Sequence, residues 1–106
     1  MDQVAVVIGG GQTLGAYLCK GLAENGYKVA VADLNISNAQ AIAAEINRAQ
    51  GKNVAIGFQV DATGEESVAE LARAVDEAFG RADVLVYSAG VARAAPITQF
   101  MLNDFD

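Results

Sequence analysis

The residues best placed to do chemistry are a run of glycines and a single acid that follows it. Val4 to Ile8 is an unbroken apolar run, and Gly9-Gly10-Gly11-Gln12-Thr13-Leu14-Gly15 comes directly after it. Glycines where a strand hands over to a helix let backbone N–H groups approach an anion, and the positive end of the helix dipole faces the same anion. Asp33 stands 18 residues after Gly15, at the end of a second apolar run, Val29-Ala30-Val31-Ala32. A carboxylate there can accept hydrogen bonds from both hydroxyls of a ribose. Together the two features describe a pyrophosphate cradle and an adenosine-ribose acceptor on one βαβ unit, which is dinucleotide chemistry.

Plainer readings of the glycine run are a tight strand-to-helix turn and a mononucleotide phosphate site. A P-loop is excluded, because no Lys-Ser or Lys-Thr follows the last glycine. Domains that bind S-adenosylmethionine also pair a Gly-rich turn with an acid on strand two, and they are the competing reading. Within the dinucleotide reading, Asp33 favours NAD over NADP. Its charge repels a 2′-phosphate, and no Lys or Arg lies between Gly9 and Gly15 or between Asp33 and Gln40 to offset it. Two unit charges at 4 Å interact by about 4 kcal/mol at an effective dielectric of 20, enough for a preference of tenfold or more.

Two further clusters fall at strand ends. Asp61 follows a third apolar run and precedes Ala62-Thr63, where it could cap the next helix or face a ligand. Ser88-Ala89-Gly90 follows a fourth run, and small residues there let the backbone pass close to a flat ring or simply make a turn. Tyr87 reads as a strand residue. Cys19 reads as a small buried hydrophobe; as the only cysteine it excludes an internal disulfide and a cysteine-based metal cluster, and no metal site is expected.

The elements that must hold these residues alternate. After the first strand, Leu14, Tyr17, Leu18 and Leu22 draw a stripe along a helix that Gly26 ends. Lys28 to Asp33 is strand two. Ser37 and Gln40 have capping-box spacing ahead of a helix carrying Ala39, Ile42, Ala43 and Ile46, which stops before Gly51. Val54 to Val60 is strand three. Thr63 and Glu66 form a second capping-box pair ahead of Val68, Leu71, Ala72, Val75 and Phe79, with a stop near Gly80, and Asp83 to Tyr87 is strand four. Such an order with right-handed crossovers gives an α/β fold, a Rossmann-type doubly wound parallel sheet in three α/β/α layers, with strand order 3-2-1-4. The outer edge of strand four is expected to be unpaired.

The bulk composition fits that architecture. The 106 residues are 53% apolar with a mean hydropathy of +0.26, enough for a core. A net charge of −6 with seven Lys plus Arg and no His argues against a nucleic-acid partner. No apolar run approaches the roughly 20 residues that span a bilayer, and no basic leader precedes the first strand, so no membrane partner and a cytoplasmic location are expected.

The Gly9 to Gly15 loop, Asp33, Asp61-Ala62 and Ser88-Ala89-Gly90, in this order and spacing, resemble the short-chain dehydrogenase/reductase family along the whole chain. That family has Thr-Gly-x-x-x-Gly-x-Gly after strand one, an acid and a small residue touching adenine after strand three, and Asn-Ala-Gly after strand four. Three departures, Ile8 for the Thr, Thr13 for the middle Gly and Ser88 for the Asn, resemble a bacterial subgroup that oxidises a sugar-alcohol phosphate. The resemblance implies NAD as cofactor, held by Gly9, Gly11, Gln12, Thr13, Leu14, Gly15, Asp33, Asp61, Ala62, Ser88, Ala89 and Gly90. It implies a small sugar-phosphate substrate and a homotetramer when the protein is complete. Family members have a catalytic Asn, Ser, Tyr and Lys beyond the equivalent of Asp106, so no catalytic residue is assigned here. Residues 1–106 are thus expected to be the amino-terminal NAD-binding part of one truncated Rossmann domain. A dehydrogenase for another sugar alcohol and a non-catalytic NAD-binding domain are the alternative functions.

Overall fold

A computed structural model describes residues 3–88 and the backbone of Ala94–Ala95. Strands β1 (Val4–Ile8), β2 (Lys28–Asp33), β3 (Ala55–Gln59) and β4 (Val84–Tyr87) alternate with helices α1 (Thr13–Glu24), α2 (Ile36–Gln50) and α3 (Glu65–Phe79), and β5 (Ala94–Ala95) follows. The sheet order is β3-β2-β1-β4-β5. The first four strands are parallel, in the order 3-2-1-4 expected from the sequence, with Val6 between Ala30 and Leu85 at the centre. β5 is a difference: it pairs antiparallel with β4 through Leu85 with Ala95 and Val86 with Ala94, so the outer edge of β4 is covered at those positions. Ala94–Ala95 is too short to carry a periodic signal, which is why the sequence does not announce it.

Each sheet face has its own core, as a doubly wound sheet requires. Val4, Val6, Ile8, Ala30, Ala32 and Leu85 face α3, which contributes Val68, Leu71 and Val75. Val7, Val29, Val31 and Ala55 face α1 and α2, which contribute Cys19, Ala23, Ala39, Ala43 and Ile46. The period of two along β1 thus sends successive side chains to opposite helices. Among the described residues, no helix is long and apolar enough to cross a membrane.

Four local expectations are corrected. The stripe on α1 is not the buried face: Leu14 is 57% exposed, Tyr17 is 77% exposed, and Leu18 and Leu22 are half-buried. The buried face is Gly15, Cys19 and Ala23, because the start of α1 must lie against the glycine turn and only small residues allow that approach. The cap of α2 is Asn35, whose side chain accepts the Asn38 N–H at 3.2 Å, so Ser37 sits inside the first helical turn. The cap of α3 is Gly64 without a side-chain bond, and the Thr63 hydroxyl donates to Asp61 instead of accepting a helix N–H. Strand three is also shorter than expected, beginning at Ala55 and ending at Gln59.

Candidate functional site

The glycine turn is built by the carboxyl end of β1 and a backbone that folds back on β2. Gly9 has φ +87°, in the left-handed region that favours glycine. The N–H groups of Gly9 and Gly10 both donate to the Ala32 carbonyl, at 2.8 and 3.0 Å, and the Gln12 N–H donates to the Gly9 carbonyl at 3.2 Å. Gly15 then packs on the turn: a β-carbon there would overlap the Gly9 oxygen and stand 2.8 Å from the Ser88 Oγ. Under the turn, a β-carbon on Gly10 would meet the Cys19 Sγ at 3.0 Å. Cys19 is therefore the small buried hydrophobe expected, and burial pushes its thiol up to about 12.

The turn opens into the positive end of α1. Gln12 occupies the cap position but makes no side-chain cap bond, and the first turn holds no acidic side chain. The first intrahelical bond runs from the Ala16 N–H to the Gln12 carbonyl. The N–H groups of Thr13, Leu14 and Gly15 precede it and belong to the set a helix cannot satisfy internally. An anion would supply the missing acceptors.

Asp33 is 3% exposed, the one charged side chain buried among the described residues. Its carboxylate is held on both sides: Oδ2 accepts the Gly11 N–H and Oδ1 accepts the Asn35 N–H, each at 3.0 Å. Asp33 lines an open cleft of about 580 Å³ together with Gln12, Leu34, Asn35, Ile36, Asn38 and Gln59. Gln59 closes the β3 side, donating from Nε2 to the Leu34 carbonyl at 3.2 Å. The lining residues Leu34, Asn35, Ile36, Asn38 and Gln59 are missed by motif reasoning. Asn35 had a readable signal, since Asn is among the best helix caps. Leu34 and Gln59 had none beyond their nearness to Asp33.

The other predicted residues distribute around this centre. Of the predicted residues Gln12 and Asp33 line the cleft, while Gly9, Gly11, Thr13, Leu14 and Gly15 form the turn and the start of α1 beside it. Ser88 joins them at the end of β4, where its N–H and its hydroxyl both donate to the Ile8 carbonyl at 3.0 Å. Asp61 and Ala62 stand after β3, outside the cleft lining. Asp61 is exposed and ties its own turn: Oδ1 accepts the Thr63 hydroxyl at 2.6 Å and the Thr63 N–H at 3.0 Å, while its N–H donates to the Ser67 Oγ at 2.8 Å. Those bonds from Thr63 hold its carboxyl below the usual carboxylate range. Asp61 thus shapes the turn before α3 and does not cap the helix. Ala62 is partly buried against the α3 core. Ala89 and Gly90 lie outside the described residues. A second hollow of about 300 Å³, between α1 and α2 and bordered by the Lys20–Glu45 pair at 3.7 Å, touches none of the candidate residues.

Comparisons with known proteins meet this geometry from a separate direction. The profile of the family described as short chain dehydrogenase matches residues 3–106. The chain is 61% identical over all of its 106 residues to sorbitol-6-phosphate 2-dehydrogenase of Escherichia coli K12, covering 41% of that protein. Among solved structures, sorbitol-6-phosphate 2-dehydrogenase SrlD from Erwinia amylovora is similar at a TM-score of 0.79 and 72% identity, over 96% of this chain and 40% of that one. The 3-ketoacyl-(acyl-carrier-protein) reductase from Brucella melitensis, solved with NADH, is similar at 0.72 and 30% identity, over 79% of this chain and 32% of that one. The chain therefore spans about two fifths of the length of the sorbitol-6-phosphate dehydrogenases it matches. With the glycine turn, the buried acid at the end of β2 and the 3-2-1-4 sheet, that match makes this chain a member of the short-chain dehydrogenase family.

Proposed function

We propose that the chain is the NAD-binding part of a dehydrogenase that, when complete, interconverts sorbitol 6-phosphate and fructose 6-phosphate. The observation that carries the cofactor assignment is the placement of the Asp33 carboxylate beside the uncapped glycine turn, at the head of a cleft with no Lys or Arg in its lining. The residues present fit the group. Gly11 and Gly15 let the turn pack tightly against α2 and the Gly9 carbonyl, where a β-carbon has no room, the first amides of α1 are available to a pyrophosphate, and Asp33 offers acceptors to an adenosine ribose. When bound, the nicotinamide supplies hydride transfer, and this chain's residues bind and orient the cofactor. Family membership sets aside the S-adenosylmethionine reading.

The substrate assignment is supported by the 61% identity to the Escherichia coli protein of that name. Asp61, Ala62, Ser88, Ala89 and Gly90 complete the proposed cofactor site. A cytoplasmic location and a homotetrameric complete protein belong to the same reading. The test is to follow NADH formation by the complete protein with sorbitol 6-phosphate and with unphosphorylated sugar alcohols. Turnover of sorbitol 6-phosphate far above the others is expected; turnover confined to another polyol would replace the substrate, and no NADH with any polyol would remove the enzymatic reading.

A further inference from the structure

Asp33 is engaged by its own chain in a way that accepting a ribose does not require. Its two oxygens receive backbone N–H groups from different segments, Gly11 in the turn after β1 and Asn35 at the cap of α2. The segments are in close contact there: a β-carbon on Gly11 would stand 2.8 Å from the Asn38 Cβ and 3.0 Å from Asp33 Oδ2. The neighbouring N–H groups of the turn are served by backbone, Gly9 and Gly10 by Ala32 and Gln12 by Gly9. Gly11 alone in that turn relies on a side chain.

We infer that Asp33 is a positioning residue for the glycine turn, fixing the Gly11 peptide against α2, in addition to accepting the ribose. The identity of the ligand rests on the function proposed above; the clamp itself does not. Only a side chain with two acceptors and no donor satisfies both amides, because an Asn in the same rotamer turns an NH2 group toward one of the two N–H donors. Each carboxylate oxygen has a second acceptor direction, so the clamp and a ribose contact are compatible. A substitution at Asp33 made to admit a 2′-phosphate therefore also loosens the turn that holds the phosphates, and it weakens both dinucleotides.

The test combines a ligand-free readout with a ligand pair in the full chain. In Asp33→Asn, amide hydrogen exchange at Gly11 or at Asn35, whichever N–H faces the NH2 group, should accelerate by about tenfold or more, since a hydrogen bond to a charged acceptor is lost, while Val6 and Val31 keep their protection. Unchanged exchange at both Gly11 and Asn35 overturns the clamp. By calorimetry, Asp33→Asn should bind 2′,3′-dideoxy-ADP more weakly than the native chain by about threefold or more, although that ligand has no ribose hydroxyl for Asp33 to accept. Equal affinity of both proteins for 2′,3′-dideoxy-ADP, with a loss confined to ADP, overturns the positioning role and leaves the ribose role. If neither ligand binds the native chain, the nucleotide reading fails while the exchange result still decides the clamp. Should Asp33→Asn lose protection at Val6 and Val31, Asp33→Ser, which keeps one acceptor, replaces it in both measurements.

Discussion

Gly15 lies against Gly9 so closely that a β-carbon on Gly15 would overlap the Gly9 carbonyl oxygen and stand 2.7 Å from its carbonyl carbon. The contact is backbone on backbone, so no side chain can swing away to relieve it. Gly15→Ala should destabilise the chain by about 1–3 kcal/mol, as overpacking does, and weaken nucleotide binding by displacing the turn. Gly21, on the same helix, has open space where a β-carbon would stand. Gly21→Ala should instead stabilise by about 0.5–1 kcal/mol through helix propensity. Urea melts of the two variants decide it; equal effects would mean that the turn tolerates a side chain.

Asn47 staples α2 to the start of β3. Its Oδ1 accepts the N–H groups of Val54 and Ala55, at 2.7 and 2.8 Å, and its Nδ2 donates to the Ala55 carbonyl at 2.9 Å. Asn47→Ala leaves partly buried backbone groups without partners and should cost about 1–3 kcal/mol. Asn47→Asp keeps the acceptor, loses the donor and should fall between. A melt in which Asn47→Ala matches the native chain would contradict the staple.

Asp83 anchors the amino end of β1. It accepts the Val4 N–H at 2.8 Å, and the Arg81 guanidinium meets it at 2.7 and 2.9 Å. The Arg81 hydrogen bonds, followed by the Val4 N–H, hold its carboxyl below the usual 3.8. A depressed carboxylate contributes stability that is present above the unfolded value and is lost as pH falls through the lower folded value. Asp83→Asn should therefore be less stable than the native chain near neutral pH, with the difference closing only below about pH 3.8. A difference independent of pH from 7 to 2 would show that the charge on Asp83 is not what matters.

Cys19, buried under Gly10 with its thiol raised to about 12, should be inert. A thiol reagent at pH 8 should label it only as fast as the chain unfolds. Rapid labelling under native conditions would place Cys19 at the surface.

Much of this architecture is legible because local and tertiary requirements agree. Val4 to Ile8 and Lys28 to Asp33 are apolar nearly throughout because both sheet faces are covered, and Val68, Leu71 and Val75 mark a helix face because α3 has one dry side. On α1 the two requirements part. Leu14 and Tyr17 look like the core stripe, yet the approach of α1 to the glycine turn selects Gly15, Cys19 and Ala23, and small residues leave a weak hydrophobic signal. The glycine turn and Asp33 were readable as a motif. The bond between Asp33 and Gly11 was not, since it joins residues 22 apart through a backbone N–H that every residue type except proline carries.

The most direct test of the central claim, that Asp33 makes this an NAD site, is the ratio of kcat/KM for NAD to that for NADP in the complete protein, native and Asp33→Ala. The native protein should prefer NAD, and Asp33→Ala should lose efficiency with NAD and narrow the gap by about tenfold or more, because the repulsion toward a 2′-phosphate is gone. An NAD/NADP ratio that Asp33→Ala leaves unchanged would contradict the account.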